Sequence, residues 1–229
     1  MPHRGPAAAH WTYLRSTAAA SSEIGLWSGG AGPLLPRHFH DEVQISFVVS
    51  GHYSFRIGAG VVGLRAGQGV LIPAGLAHAP AGHDWQGTAV INAYVSRESC
   101  DFECYHPIVF DGASGGLHVL GDIAQVPDGR PALATRVADL LLDGAAIGAL
   151  SRRLGRSREG FTRRFNKEFG MPPHAYRLIT RLNRARALLR GGDPIAVIAA
   201  ETGFADQSHL GRHFRRVFGA TPAAYRKAF

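Results

Sequence analysis

Cysteine is scarce here: 229 residues contain two, Cys100 and Cys104. That excludes a disulfide framework and a cysteine-based zinc finger, and His106 nearby does not complete a ligand set. Long apolar runs are also missing. No stretch approaches the ~20 apolar residues a membrane-spanning helix needs. The N-terminal segment is alanine-rich, but Arg4, His10, Arg15 and Glu23 interrupt any signal-peptide core. Its first ten or so residues read as a loose tail, and the expected setting is the cytoplasm. Acidic residues are outnumbered, 17 against 25 Lys and Arg, for a formal net charge of +8. With 45% hydrophobic and 18% charged residues, the composition is globular and fills two modest cores.

The charge is unevenly placed. Residues 1–110 hold six Arg against seven Asp or Glu; residues 111–229 hold nineteen Lys or Arg against ten acids. Such an excess attracts phosphates, but RNA and membrane surfaces attract it equally. The decision rests on how the basic half is patterned.

That half contains one pattern twice. Residues 147–177 read IGALSRRLGRSREGFTRRFNKEFGMPPHAYR, and residues 195–226 read IAVIAAETGFADQSHLGRHFRRVFGATPAAYR. Phe165, Gly170, Pro173, Tyr176 and Arg177 recur 49 positions later as Phe214, Gly219, Pro222, Tyr225 and Arg226. Upstream of the turn the offset is 48, pairing Ile147 with Ile195 and Gly155 with Gly203, so the second turn holds one extra residue. Two copies are too few for a solenoid. A pair of helix-turn-helix units fits.

Each copy has the local chemistry this requires. In the second, Pro194 suits a helix start, and Ile195, Val197, Ile198 and Thr202 form the expected inward face. Gly203 supplies the left-handed turn position and Asp206 caps the next helix. Leu210, Phe214, Val217 and Phe218 form its buried stripe, opposite Gln207, Ser208, His209, Arg212, Arg215 and Arg216. In the first copy Leu150 and Leu154 face inward, Gly155 turns, Ser157 caps, and Phe161, Phe165 and Phe169 are buried. Arg158, Glu159, Thr162, Arg163, Asn166 and Lys167 stay outside. Arg reads guanine bidentately, Asn and Gln suit adenine, and Ser, Thr and His serve edges or phosphates. A solvated charged face is the plain alternative, but the same face recurs behind the same turn.

The segment GFADQSHLGRHFRRVFGATPAAYR, with the preceding YRLITRLNRARALLR, resembles the AraC/XylS family of transcriptional regulators. The resemblance covers residues 131–229 and implies two recognition helices in successive major-groove segments, joined by a connector helix at 176–190. Carried over by position, Glu159, Thr162 and Arg163 would read bases from the first helix, and Ser208, His209 and Arg212 from the second. Arg158, Lys167, Gln207 and Arg216 complete the expected DNA-binding set. A connector of some 15 residues spans about 22 Å, and grooves on one face recur about every 34 Å, so one chain reaches both.

The N-terminal half reads as strands. Val43, Ile45, Phe47 and Val49 alternate with Gln44, Ser46 and Val48; YSFRI, VVGL, GVLIP, TAVINAYV and PIVF follow at short intervals. This spacing points to an antiparallel sandwich or barrel. HFHDEVQISFVVSG and GQGVLIPAGLAH resemble the two cupin motifs, with Gln44 where metal-binding cupins usually carry Glu. In AraC-type regulators such a barrel is the effector-sensing half. The expected architecture is therefore α+β in two domains: a cupin-like double-stranded β-helix barrel at 11–110, a linker at 111–130 with one short helical stretch around 117–124, and an all-α DNA-binding domain at 131–229 opening with a helix at 132–142.

His38 and His40 share a strand face by alternation, and His78 arrives on another strand. Three imidazoles can hold a divalent metal; Gln44 is a weak fourth ligand, and the imidazoles serve equally as hydrogen-bonding partners for a bound effector. The effector set is His38, His40, Gln44, Phe47 and His78. Phe39, Phe47, Tyr53, Phe55 and Trp85 are candidates for the pocket wall or simply for the core. The leading function is a ligand-responsive DNA-binding regulator, not an enzyme, with duplex DNA, a small effector and, if it activates, RNA polymerase as partners. The segment many relatives use for dimerisation is short here, so pairing of two chains through the barrel stays open. The rival is a metal-dependent cupin enzyme carrying a DNA-binding tail; Gln44 and the lack of convergent acid–base groups argue against it.

Overall fold

The computed structural model describes residues 10–16, 21–29, 35–58, 60–82, 87–99, 106–112, 118–122 and 146–229. Ten strands come first: β1 His10–Arg15, β2 Ser21–Gly29, β3 Val43–Ser50, β4 His52–Ile57, β5 Gly60–Arg65, β6 Gln68–Ile72, β7 His78–Pro80, β8 Thr88–Val95, β9 Ile108–Asp111 and β10 His118–Asp122. They form a seven-stranded sheet, β1-β2-β8-β3-β6-β9-β10, facing a three-stranded sheet, β5-β4-β7. Every pairing is antiparallel.

Strand alternation sorts the faces, and it reverses one reading. On β3 the buried positions are Val43 at the strand's start and then Gln44, Ser46 and Val48, while Ile45 and Phe47 are half-buried and Val49 is exposed. Gln44 and Phe47 stand an odd number of residues apart, so they cannot share the interior. Trp11, Tyr13, Trp27, Tyr53, Phe55, Val90 and Tyr94 fill the core instead. Strands β1 and β2 carry three of these aromatics from a segment without a clear strand pattern.

The helical half follows: α1 Ile147–Arg153, α2 Arg158–Phe169, α3 Pro173–Arg190, α4 Ile195–Glu201, α5 Gln207–Phe218 and α6 Pro222–Arg226. The repeat is exact in length: α1 and α4 each have 7 residues, α2 and α5 each have 12. Gly155 and Gly203 turn with φ of 62° and 74°. Ser157 Oγ accepts from Gly160 N at 3.0 Å, and Asp206 Oδ1 from His209 N at 2.7 Å, so both recognition helices carry their expected caps.

Three expectations change. Val197 is 45% exposed and Leu154 36%, so neither joins an inward face; seven residues make only two turns, and Ile198 or Leu150 already fills each buried stripe. Residues 118–122 are a strand, where a short helix was expected. The edge strand β9 offers open backbone groups, and His118 opposite Asp111 and Val119 opposite Phe110 satisfy them as a hairpin. The helix expected at 132–142, Trp85 and both cysteines lie outside the described residues.

The two halves are not strung on a free tether. One contiguous core runs from Trp11 and Phe55 in the sheets to Tyr176, Phe214 and Phe218 in the helices. Phe39 stacks on Tyr176 with ring centres 4.8 Å apart, Asn183 Nδ2 donates to Phe39 O at 3.1 Å, and Tyr13 Oη donates to Phe218 O at 2.7 Å.

Candidate functional site

The centre of that junction is a buried guanidinium. Helix α3 presents Tyr176, Ile179, Leu182, Leu189 and, on the same stripe, Arg186, which is 1% exposed. Arg186 Nη2 lies 2.6 Å from Glu23 Oε1, and its Nε 3.1 Å from Glu23 Oε2; Glu23 is 0% exposed. Arg190 pairs with Glu23 at 3.1 Å and with Glu42 at 2.8 Å. Tyr225 Oη donates to Glu23, and the Arg186 guanidinium lies 4.2 Å from the Tyr94 ring centre and 5.3 Å from that of Phe218. Burial alone would lower the Arg186 pKa, but Glu23 and then Glu42 raise it well above its ordinary value. Two arginines and two glutamates thus close a neutral cluster across the domain junction. Its pairs have their hydrogen bonds made, the condition under which buried charge is tolerated.

The remaining Arg186 donor fixes the chemistry beside it. Arg186 Nη1 is 2.8 Å from His40 Nδ1. A guanidinium only donates, so Nδ1 accepts and the proton of the neutral ring sits on Nε2. That Nε2 is buried with no hydrogen-bond partner. His38 and His78 have the opposite tautomer: Nδ1 of each lies 2.8 Å from a backbone carbonyl, Pro36 O and Leu76 O respectively, leaving Nε2 as a lone pair. Reciprocal backbone bonds between His38 and His78, of 2.9 and 2.8 Å, set the two rings side by side at 4.7 Å. Burial holds His38 down to about 4 and His78 to about 3; burial, then the Arg186 charge, holds His40 well below its ordinary value. All three are neutral near pH 7.

His38, His40 and His78 bring ligand atoms within 4.8 Å of one another, so the sequence grouping is real. As a metal centre it does not fit. His40 offers N–H, not a lone pair. His78 Nε2 is 3.1 Å from the Gln44 side-chain amide, which also lies 2.8 Å from Ser46 Oγ. The amide stands with Oε1 toward His78 and Nε2 donating to Ser46 Oγ; exchanging its two ends lets the NH₂ cap the imidazole lone pair and the Ser46 hydroxyl donate to the oxygen, the arrangement the His78 tautomer requires. Only His38 keeps an uncapped Nε2 lone pair among these three rings. A Glu in place of Gln44 would supply the missing negative charge.

Beside the imidazoles lies a cavity of about 20 Å³, roughly the space of one water. Its lining includes His38, Gln44, His78, Asn92 and Tyr94 from the barrel and Val217 and Phe218 from α5. Asn92 Oδ1 is buried without a partner. Of the expected effector residues, His38, Gln44 and His78 line this space, His40 stands behind it, and Phe47 is on the opposite sheet face, stacked on Phe110. Tyr53 and Phe55 line it, and Phe39 does not.

The solvent face of α5 carries the expected DNA-binding residues. Gln207, Ser208, Arg212, Arg215 and Arg216 are exposed, as are Arg158, Glu159, Arg163, Asn166 and Lys167 on α2. Two candidates are partly occupied. Thr162 Oγ1 donates to Arg158 O at 2.8 Å, and His209 lies 3.1 Å from His213, Nε2 to Nε2, while its Nδ1 accepts from Ala205 N.

A helix-turn-helix domain model matches residues 150–228 and a cupin domain model matches residues 26–91. Among similar proteins, the HTH-type transcriptional regulator MtrA of Neisseria gonorrhoeae is 31% identical over 96 residues, 42% of this chain and 32% of that protein. The HTH-type transcriptional regulator Rv1931c of Mycobacterium tuberculosis is 37% identical over 108 residues, with 42% of each covered. The chain thus spans less than half the length of these relatives. The fold extends further than the sequence similarity. ToxT of Vibrio cholerae, solved with an unsaturated fatty acid bound, superposes over 99% of this chain and 98% of its own, with a TM-score of 0.53 at 11% identity. A 1.65 Å ToxT structure gives 0.56 at 9% identity.

Glu23, Glu42, Arg186, Arg190 and Asn92 are absent from the sequence-derived site. Arg186 left a trace: a charge on the apolar stripe of the connector. Nothing near Glu23 marked it as the partner, 163 residues away.

Proposed function

We propose that this chain is a sequence-specific DNA-binding transcription regulator that answers to a small molecule in its barrel. One observation carries the DNA reading: two equal, capped recognition helices, each behind a left-handed glycine, each with an exposed cationic face. Arg163, Ser208 and Arg212 are the readers with unspent side chains on that face. Arg158, Lys167, Gln207 and Arg216 supply phosphate contacts, and Glu159, Thr162 and His209 adjust them. Duplex DNA and the effector are the first partners. RNA polymerase joins if the protein activates, and a second copy joins through the barrel if it dimerises. The proposed setting is the cytoplasm, and no helix among the described residues is long and apolar enough to cross a membrane.

The effector reading rests on the cavity and its unpartnered Asn92 oxygen. At about 20 Å³ the space does not take an organic molecule as it stands; a fatty acid such as the one bound by ToxT is larger still. Entry must part the barrel from Val217 and Phe218, and the response equals the difference in effector affinity between the parted and closed forms.

Selection of bound duplexes from a random pool by the full chain gives the site and its half-site spacing. Arg212→Ala is expected to weaken binding to the selected site by about 1–3 kcal/mol and relax preference at one base. A variant that keeps both affinity and preference removes Arg212 from the readers; a pool that yields no preferred sequence removes the proposal.

A further inference from the structure

The imidazole of His40 faces two ways. Its Nδ1 accepts from Arg186, on the helix joining the two DNA-reading units. Its Nε2 points away from Arg186, carries the ring's one proton, and has no partner. His38 and His78 stand beside it, with ring centres 5.0 and 5.4 Å away. The ring has a single proton to place. While Arg186 donates to Nδ1, Nε2 can only donate. Anything in the barrel that needs a lone pair at Nε2 must drive the proton to Nδ1, and Nδ1–H would then confront Nη1–H across 2.8 Å. Two donors at that separation repel, so the Arg186 contact opens.

We infer that His40 couples the barrel to the connector helix by exclusive use of its two nitrogens, so that barrel ligands act with a sign set by their chemistry. A ligand that accepts from Nε2–H, such as a carbonyl or ether oxygen, leaves the Arg186 contact in place and tightens it. A ligand that takes the Nε2 lone pair, such as a divalent cation, displaces Arg186. The three-histidine cluster is therefore closed to metal while the domains are clamped. The regulatory meaning of this coupling rests on the proposed regulator reading; the coupling itself does not.

The test uses the full chain and cobalt(II) alone, without DNA or effector. In ¹⁵N spectra of the wild-type side chains, His40 is expected in the Nε2–H form. Cobalt binding, read by its visible absorption, is expected to be at least tenfold tighter in Arg186→Met/Glu23→Gln than in wild type, because that pair frees Nδ1 without leaving a buried carboxylate unpaired. His40→Ala in that background should abolish the gain. A wild-type His40 protonated at Nδ1 overturns the inference, and this needs no substitution. So does equal cobalt uptake by the two proteins, or none by either, since Arg186 would then not be what withholds the site. Selection of DNA by the wild type is independent of all three readouts, so either reading can fail alone.

Discussion

A single arginine does much of the joining in this molecule. Arg186 meets Glu23, Glu42, Tyr225, His40 and the Tyr94 ring at once. Removing one partner of such a pair leaves the other charged and buried, which costs about 3–5 kcal/mol. Arg186→Met is therefore expected to lower stability by that amount in chemical denaturation. Adding Glu23→Gln should return most of it, though Arg190 then loses a partner too. If the double substitution is as damaged as the single one, the loss is in packing and not in charge.

The buried histidines set a second expectation. The unfolded chain takes up protons near pH 6.5, whereas folded His38 resists until about 4 and His78 until about 3. Below pH 6.5 the unfolded state binds more protons, so stability falls as pH falls. At pH 5, His38 alone accounts for about 2 kcal/mol relative to neutral pH. Melting temperatures measured from pH 7 to 5 should drop, and His38→Gln should flatten the slope. An unchanged slope in that variant would show that His38 is not held neutral. None of this was legible as chemistry in the sequence: HFH announced paired imidazoles, but their neutral form comes from burial, and the tautomer of His40 from an arginine 146 residues away.

At the scale of elements, much of the helical half was legible because its rules are local. A capping Ser or Asp, a left-handed glycine and a period near 3.6 leave marks within a dozen residues. The failures were at Val197 and Leu154, where a two-turn helix has room for one deep side chain. The strands were legible as strands, but their inner face was not. Polar Gln44 and Ser46 point inward on β3, because the interior here is a site and not only a core. β1, β2 and β10 were missed because edge and sequence-distant pairings are fixed by partners. Gly219 joins the two scales. It ends α5 at φ 73°, and a Cβ there would lie 2.4 Å from Trp11 Cδ1. Gly203 has similar φ, but its Cβ would meet only the flexible end of Arg181, at 3.0 Å. Each substitution to Ala carries about 1–2 kcal/mol of left-handed strain. Gly219→Ala should exceed Gly203→Ala in denaturant midpoint loss, the excess measuring the contact with β1. Equal losses would mean that Trp11 moves aside freely.

For the whole molecule, a strand-rich barrel followed by a paired helix-turn-helix could be expected, but not their relative placement. A glycine- and proline-rich joint suggests a loose tether, and composition does not record that Asn183, Arg186 and Tyr225 dock against the barrel. Interfaces between domains of one chain are commonly polar and yielding. This one combines stacked aromatics with a closed ion cluster, so separation of the halves is a costly, all-or-none step and not a drift.

The path of α5 gives that step a direction. Twelve residues of helix make a rod about 18 Å long. Gln207 and Ser208 ride at its start and Arg212 halfway along, while Val217 and Phe218 stopper the cavity at its finish. A stiff rod does not absorb displacement along its length. Whatever shoulders Phe218 out of the barrel shifts Arg212 as well, so a guest at one tip and a base pair at the other would compete for the same piece of backbone.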